Sequence, residues 1–329
     1  MNTEKIGKAI SYLRKRVGYT QKELADRIGI SDKAVSIWER GISLPDISIL
    51  AKLSILLDTD TESILAGSII PHGEKWGGIL KIDDNSYGIF SGTMIFDKPL
   101  VYFLLGNFML VGIRNIRIEC DERSRKFIER ELGDGEKFGI HISFDENNQE
   151  FSNYMVILGR IILYGVDQTR LFQRAMAHPE RFTVLSISKG NCEGKVGLKF
   201  DTEKKIVGTG QEEKVETQYI YSDMPFFFCP AEKLKVIGDI ENLRAVVGND
   251  DFYTEVAARG FIELPINTWN DVTEASSFVK TVQNACGMEL YSLEEIAWRR
   301  GMITTEQLRR LGLEQKDNPH GKYILSLVQ

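Results

Sequence analysis

The chain has 329 residues, of which 43% are hydrophobic and 27% are charged, and its formal net charge is −6. This length exceeds what one small core needs, so two domains of unequal size are expected, and the composition excludes a disordered or collagen-like chain. No apolar run approaches the ~20 residues of a membrane-spanning helix, and the first residues lack a signal-peptide pattern. We therefore expect a protein of the cytoplasm with no membrane partner.

The cysteines lie far apart in the sequence and show no metal-ligand spacing, so buried thiols are expected rather than disulfides. They are Cys120, Cys192, Cys229 and Cys286. We predict no metal site and no cofactor.

Charge is distributed unevenly along the chain. Residues 1–40 contain nine Lys or Arg against five Asp or Glu, although the whole chain is acidic. A local excess of positive charge suits contact with a phosphate backbone, and it is also found on ordinary solvated helices.

Residues 1–66 show apolar residues at three- and four-residue spacing, which predicts five short helices and no strand. The first helix has an apolar face formed by Ile6, Ile10 and Leu13. The fourth and fifth helices are expected at residues 46–57 and 61–66.

The second and third helices are recognised by their caps. Thr20, followed three residues later by Glu23, predicts a capping box, and Gly29 predicts the end of that helix. Ser31 is the predicted cap of the third helix, residues 32–40. The inward-facing residues of the third helix are Val35 and Trp38.

These segments resemble the helix-turn-helix domain of phage repressors, the Cro-like or XRE family. The residues that carry the resemblance are Thr20-Gln21-Lys22-Glu23-Leu24-Ala25, Gly29-Ile30-Ser31, Val35-Ser36-Ile37-Trp38-Glu39-Arg40-Gly41 and Pro45. The resemblance implies an all-α, five-helix domain whose third helix enters the major groove of double-stranded DNA. The alternative interpretation is a helical module that binds another protein.

The resemblance also implies a DNA-binding surface, whose residues are Gln21, Ser31, Asp32, Lys33, Ser36, Ile37 and Arg40. Gln21 and Arg40 fall where this family touches phosphates, and such contacts position the protein without reading sequence. Lys33 could donate to guanine and Ile37 could meet a thymine methyl group. Asp32 could accept from cytosine or serve only as a helix cap. One module buries little DNA surface, so a dimer is implied.

The helical spacing breaks at Gly67, and residues 67–75 form a predicted linker. Residues 76–329 form the second predicted domain, in which strand-like runs alternate with helical stretches, as is typical of an α/β fold. Strands are expected at residues 117–120, 140–144, 155–158, 183–187 and 219–221, and helices at residues 100–112, 123–132 and 167–177.

Several stretches of this second domain resemble glucose-1-phosphate thymidylyltransferases, which join dTTP to a sugar phosphate. They include Phe96-Asp97-Lys98-Pro99-Leu100-Val101-Tyr102, Leu132-Gly133-Asp134-Gly135, Leu293-Glu294-Glu295-Ile296-Ala297-Trp298-Arg299 and His320-Gly321-Lys322-Tyr323-Ile324-Leu325. The resemblance implies a Rossmann-like nucleotidyltransferase domain with a mixed central sheet. It also places Glu212-Glu213-Lys214 where the family has a sugar-contacting Glu–Lys pair. The alternative interpretation is a surface charge pair at the end of a strand.

The chain departs from this family mainly at the positions that bind phosphate, base and metal. Its glycine-rich phosphate loop is replaced by a shorter stretch with Asp83 and Asp84, and a base-reading segment before Val156 is missing. Arg160 and Pro265 stand where the family has aspartates that hold magnesium, and neither side chain offers the oxygen ligand that this ion needs. We therefore predict that the domain is a catalytically inactive enzyme.

The sequence thus predicts a DNA-binding transcription regulator whose second domain oligomerises, senses a ligand, or does both. A homodimer or homotetramer is expected, and a nucleotide sugar or sugar phosphate is the expected ligand. Two alternatives remain open. The first is an active sugar-1-phosphate nucleotidyltransferase that carries a DNA-binding domain, with Asp83, Asp84 or Asp271 holding the metal. The second is a scaffold that only oligomerises.

Overall fold

The computed structural model describes residues 2–57, 59, 61–67, 75–82, 87–145, 151–188, 197–210, 221–236, 252–258 and 260–328. The chain folds into two compact units, one made of residues 1–71 with 297–329 and one made of residues 72–296. The predicted division at residues 67–75 differs from this grouping, because it kept the C-terminal helices with the larger domain. Sequence similarity to a family does not determine which hydrophobic core a C-terminal helix packs against.

The five helices predicted in the first unit are confirmed. They are α1 (Thr3–Arg16), α2 (Gln21–Ile28), α3 (Asp32–Glu39), α4 (Ile47–Leu56) and α5 (Thr61–Ala66). Each boundary lies within one residue of the predicted one where a range was given, because caps are local signals that do not depend on packing.

The caps of α2 and α3 form as predicted. Thr20 and Glu23 form a reciprocal capping box, and Gly29 ends α2 with a φ of 88°, a left-handed conformation that favours glycine. Ser31 caps α3 by accepting from the backbone N–H of Ala34.

The apolar faces of these helices meet in one core. Its fully buried members come from all five helices and include Ile6, Leu13, Leu24, Val35, Leu53 and Ile64. Gly7 lies where α1 crosses the end of α3, and a Cβ atom there would come within 2.3 Å of the carbonyl oxygen of Trp38. The two helices can approach this closely only because position 7 has no side chain.

The first unit also contains C-terminal helices. These are α11 (Thr305–Glu314) and α12 (Pro319–Ser326), and they follow α10 (Leu293–Arg299), which spans the boundary between the units. The turn between α1 and α2 lies beside the start of α11, since a Cβ atom on Gly18 would be 3.8 Å from Thr305 Oγ1.

The second unit is built on a mixed sheet, as predicted. Along its main path the strands follow the order β10-β9-β11-β6-β1-β4-β5, with β8 paired to β11 and β12 paired to β8. These strands are β1 (Trp76–Ile82), β4 (Asn115–Cys120), β5 (His141–Ser143), β6 (Asn153–Leu158), β8 (Phe182–Ser188), β9 (Gly197–Phe200), β10 (Ile206–Gly210), β11 (Tyr221–Pro230) and β12 (Phe252–Ala257). Strands β6, β1, β4 and β5 run parallel to one another, and β11 runs antiparallel to β6.

Two small antiparallel pairs complete the strands that the structure describes: β2 (Met94–Ile95) with β3 (Lys98–Pro99), and β7 (Ile161–Tyr164) with β13 (Ile262–Pro265). The helices of this unit are α6 (Leu100–Leu110), α7 (Glu122–Leu132), α8 (Gln168–Met176) and α9 (Trp269–Cys286). The helices predicted at residues 100–112, 123–132 and 167–177 are therefore confirmed within two residues.

The strands predicted at residues 117–120, 140–144, 155–158 and 183–187 are confirmed. Of the strand expected at residues 219–221, only Tyr221 lies among the described residues, and it begins β11 (Tyr221–Pro230), whose remaining residues were not predicted. The prolines obscured it, since proline is rare inside strands except at bulges and edges. Pro225 falls within the stretch between Asp223 and Phe227 where the pairing of β11 with β8 shifts register.

Polar side chains also help to hold this unit together. The amide of Gln168 on α8 donates to Asn107 Oδ1 at 2.5 Å and to the Tyr291 hydroxyl at 2.8 Å. The hydroxyl of Tyr291 also donates to the backbone oxygen of Leu163. Because all of these groups are buried, the network fixes α6 and α8 relative to β7.

The expectation of buried cysteines holds only in part. Cys229 is buried and burial raises the pKa of its thiol to about 12, whereas Cys120 is half-buried and Cys286, at the end of α9, is exposed. Cys192 lies outside the described residues. No helix in the described part of the chain is long and apolar enough to cross a membrane.

Candidate nucleic-acid interface

The predicted DNA-binding residues lie together on α2, the turn and α3. Ser31, Asp32, Lys33 and Arg40 are exposed, and Gln21, Ser36 and Ile37 are half-buried. On the opposite face of α3, Val35 is fully buried and Trp38 is 5% exposed. The third helix is therefore anchored on one side and presents polar and apolar groups on the other, the arrangement that major-groove reading needs.

The start of α3 uses its polar side chains for different purposes. Ser31 Oγ accepts from the backbone N–H of Ala34 at 3.3 Å, so Ser31 is the cap. Asp32 Oδ1 accepts from the backbone N–H of Lys33 at 2.8 Å. The sequence left open whether Asp32 caps α3 or contacts a base. Because Ser31 fills the cap position, Asp32 is not needed as the cap, which favours the base contact.

Arg40 lies at the C-terminal cap of α3. Its Nε donates to the backbone oxygen of Ser36 at 3.3 Å, so the guanidinium lies along the last turn of the helix. A cation at a helix C-terminus is favoured by the helix dipole. The exposed guanidinium retains further N–H donors for a phosphate.

A buried ion pair, which the sequence analysis did not predict, connects the helices that carry this surface. Arg14 on α1 donates from Nε and Nη2 to the two carboxylate oxygens of Glu39, and its Nη1 donates to the backbone oxygen of Tyr19 at 2.6 Å. The side chains of Arg14 and Glu39 are only 9% and 7% exposed. Gln21, predicted as a phosphate contact, donates from Nε2 to Glu39 at 2.8 Å. The pair therefore links α1, the start of α2 and the end of α3.

The environment of Glu39 also sets its acidity. Burial acts to raise its pKa, but the hydrogen bonds from Arg14 and Gln21 outweigh burial, and the pKa of Glu39 is lowered from the ordinary 4.5. A carboxyl group whose pKa is lower in the folded state stabilises the fold above its ordinary pKa, and this contribution is lost as the pH falls through the folded-state pKa.

We accordingly expect the stability advantage of the wild type over Glu39→Gln to be largest at neutral pH and to shrink as the pH is lowered through 4.5 and below. Urea unfolding of both proteins between pH 7 and pH 3 measures this difference. An advantage that stays constant over that range would show that the charge on Glu39 does not stabilise the domain.

Two other cations of the first unit have partners within that unit. Lys8 pairs with Glu4 at 2.7 Å on α1, and the guanidinium of Arg27 lies 4.8 Å from the centre of the Tyr19 ring. Lys33 lies in α3 and Arg40 is its C-cap residue, and both are exposed.

In the second unit the structure brings together two positions that the resemblance assigned to metal ligands. Arg160 lies between β6 and β7, and its backbone oxygen accepts from the N–H of Ile266 at 2.8 Å. Pro265 pairs with Ile161 in the adjoining strands. Neither side chain fits a magnesium ion, which prefers oxygen ligands.

Most of the other residues predicted to act in the second domain lie outside the part of the chain that the structure describes. Glu212, Glu213 and Lys214, proposed as a sugar-contacting set, lie outside the described residues, as do Asp83 and Asp84. Asp271 completes the capping box of α9, whose N-cap residue is Thr268: its carboxylate accepts from the backbone N–H of Thr268 at 2.8 Å and of Asn267 at 2.9 Å. Among the described residues, His, Cys, Asp and Glu form no group of three or more that could hold a metal ion.

Comparisons with known proteins find two different kinds of match. Residues 10–64 match the helix-turn-helix family model HTH_3. The Neisseria meningitidis glucose-1-phosphate thymidylyltransferase is 29% identical over 260 residues, which cover 71% of this chain and 90% of the relative. The enzymes of the same name from Xanthomonas campestris and Mycobacterium tuberculosis are 27% and 24% identical, covering 88% and 90% of their own lengths.

One solved structure, named for a glucose-1-phosphate thymidylyltransferase of Bacillus anthracis in complex with a sucrose, covers 62% of this chain and 94% of its own, with a TM-score of 0.48 and 13% identity. The chain therefore combines two known kinds of domain. Residues 10–64 form an XRE-type helix-turn-helix domain, and a glucose-1-phosphate thymidylyltransferase-like region with a mixed central sheet makes up the rest.

These relatives contradict the prediction that the chain is not an enzyme. Their shared name is that of an enzyme, and the match extends over about nine-tenths of their length. The prediction failed because it inferred loss of activity from a few substituted positions. Catalysis of phosphoryl-type transfer depends on how charged groups are positioned in space, and part of the loop that was compared, with Asp83 and Asp84, lies outside the described residues.

Proposed function

We propose that this protein is a sequence-specific transcription regulator that reads DNA with α3. The observation that carries the proposal is the exposed face of this helix, which presents Lys33, Ile37 and Arg40 while Val35 and Trp38 anchor its other face. Lys33 and Ile37 can read base edges, and Gln21 and Arg40 can hold phosphates. The cytoplasm, where bacterial DNA lies, is the proposed compartment.

The proposal includes a homodimer or homotetramer. A single domain of five short helices covers about one half-site, and repressors of this architecture reach specific affinity by placing two copies on a two-fold symmetric site. Sedimentation with and without a bound duplex measures the number of copies.

Selection of fragments from random duplex DNA tests base reading. We expect the wild-type protein to enrich one sequence, and its affinity to fall steeply with salt because phosphate contacts release counterions. Lys33→Ala should weaken binding to the enriched site by about 10- to 100-fold. Lys8→Ala, a change of equal charge on α1, should leave binding near the wild-type value. Enrichment of no sequence would reject the proposal.

We also propose that the second region transfers a nucleotidyl group to a sugar phosphate. The relatives support this proposal, since their printed name states that activity and their match extends over about nine-tenths of their length. Incubating the protein with dTTP, glucose-1-phosphate and Mg²⁺ should release pyrophosphate above background. Release no faster than from a heat-denatured sample would reject the activity and leave the DNA proposal untouched.

A further inference from the structure

A group of exposed hydrophobic side chains lies beside the long helix α9 of the second unit. Tyr87, Met94, Phe96 and Trp269 are 57%, 51%, 42% and 56% exposed. The Trp269 indole N–H donates to the backbone oxygen of Tyr87 at 3.1 Å, and α9 packs on β2, the strand that contains Met94. Single exposed hydrophobic residues are common, whereas a group of them in one place marks an interaction surface.

The β2–β3 hairpin is fixed against α9. The backbone N–H of Phe96, at the tip of the hairpin, donates to Ser276 Oγ at 3.1 Å. Gln283 Nε2 donates to the carboxylate of Asp97 at 2.9 Å. Phe96 has a φ of 58°, which is strained for a bulky residue. Such strain persists where the surrounding structure imposes it, and it is concentrated at functional sites. The hairpin therefore holds a partly exposed ring in place beside the helix.

The exposed face of α9 has a symmetric arrangement of side chains. Its members share one side of the helix and are all exposed: Asn270, Thr273, Glu274, Ser277, Lys280, Thr281 and Asn284. Counted from Ser277, an asparagine lies seven positions away in each direction and a threonine four positions away. Glu274 and Lys280 lie three positions away and carry opposite charges. An antiparallel copy of α9 would therefore bring each Glu274 level with Lys280 of the other copy.

The polar groups of this face are suited to burial against another protein chain. The hydroxyls of Thr273 and Thr281 each donate to the backbone oxygen four residues earlier, at 3.0 and 2.8 Å. They keep these hydrogen bonds when water is removed, so their burial costs little. Glu274 accepts from the side-chain amide of Asn270 at 2.8 Å. Within the described part of the chain neither Glu274 nor Lys280 has an ion-pair partner, so both are available to a second chain.

We propose that the exposed face of α9 and the β2–β3 hairpin form the contact between two copies of this chain, which we call the α9 dimer face. The proposal rests on the homodimer of the proposed function. The two-fold axis passes beside Ser277, whose small side chain lets the two helices approach. Glu274 and Lys280 form two reciprocal ion pairs, and Phe96 and Trp269 pack along one side of the contact. A partner of unrelated sequence would gain nothing from this symmetry.

The area of the α9 dimer face is suited to a stable dimer. The exposed face of α9 is about 27 Å long and about 10 Å wide. Each neighbouring ring is about half exposed and adds roughly half of the 150–250 Å² that an aromatic side chain can bury. Together these surfaces approach the ~800 Å² per copy of a standard interface.

Sedimentation equilibrium of the full chain without DNA tests the α9 dimer face. We expect the wild type to self-associate at micromolar concentration. Glu274→Lys and Lys280→Glu should each raise the dissociation constant by about tenfold or more, because each change brings like charges together across the contact. The double variant should associate nearly as tightly as the wild type, because its ion pairs form again with reversed polarity. Glu136→Lys, the same change at an exposed position outside α9, should associate like the wild type.

Phe96→Gly tests the hydrophobic part of the contact. Glycine adopts a φ of 58° without strain, so the hairpin keeps its conformation, while loss of the ring should raise the dissociation constant by about tenfold or more. A wild type that stays monomeric would overturn the proposal. So would single variants that associate like the wild type, or a double variant that stays dissociated. DNA selection measures base reading by the first unit, so its outcome is independent of this test.

Discussion

Replacing Arg14 with methionine is expected to destabilise the helix-turn-helix domain by about 3–5 kcal/mol, because it leaves the Glu39 carboxylate buried without its cation. Both side chains are less than 10% exposed, so water cannot replace the lost partner. Glu39 also holds the amide of Gln21. We therefore expect DNA affinity to fall in this variant together with stability.

Hydrogen exchange of peptides from residues 3–57 measures this effect in the full chain, since exchange from the open state reports the local free energy of unfolding. Lys8→Met is the matched control. It breaks an exposed ion pair with Glu4, and such pairs contribute about 0–1 kcal/mol. The double variant Arg14→Met with Glu39→Leu should be more stable than Arg14→Met alone, because no buried charge remains. Equal protection in Arg14→Met and Lys8→Met would contradict the stabilising role of the buried pair.

Gly7→Ala is the second change with a large expected effect. Alanine is the better helix former by about 1 kcal/mol, yet its Cβ would lie 2.3 Å from the Trp38 oxygen, 2.8 Å from the Gly41 nitrogen and 2.9 Å from the Glu39 oxygen. These are backbone atoms, so no side-chain rotation relieves the clash, and α1 and α3 must move apart. We expect destabilisation by about 1–3 kcal/mol.

The displacement should also impair DNA binding, because the backbone that moves belongs to the end of α3. The enriched duplex from the selection experiment measures this loss, and hydrogen exchange of residues 3–57 measures the stability. Lys8→Ala is the control at the next position of the same helix, where the side chain is exposed and no clash arises. If Gly7→Ala proves as stable and as tight a DNA binder as that control, the close packing of α1 on α3 does not constrain the domain.

The amino-acid sequence by itself determined the local features of this protein. Thr20 with Glu23, Gly29 and Ser31 located the boundaries of α2 and α3, because a cap involves residues at most a few positions apart. Apolar spacing identified the inward faces, so Val35 and Trp38 could be assigned to the core before the helices were assembled. The motifs around Asp97 and Ala297 identified the kind of second domain. Interpreting a few substitutions as loss of activity was wrong.

Only the tertiary structure decided which distant side chains meet. Arg14 and Glu39 are 25 positions apart, and neither residue type nor spacing marks them as partners. The same holds for the C-terminal helices, which join the unit of residues 1–71, and for Gln168, whose amide meets Asn107 and Tyr291 in the second unit. Helix periods and caps are set by neighbours along the chain, whereas buried pairs and networks depend on how whole elements pack.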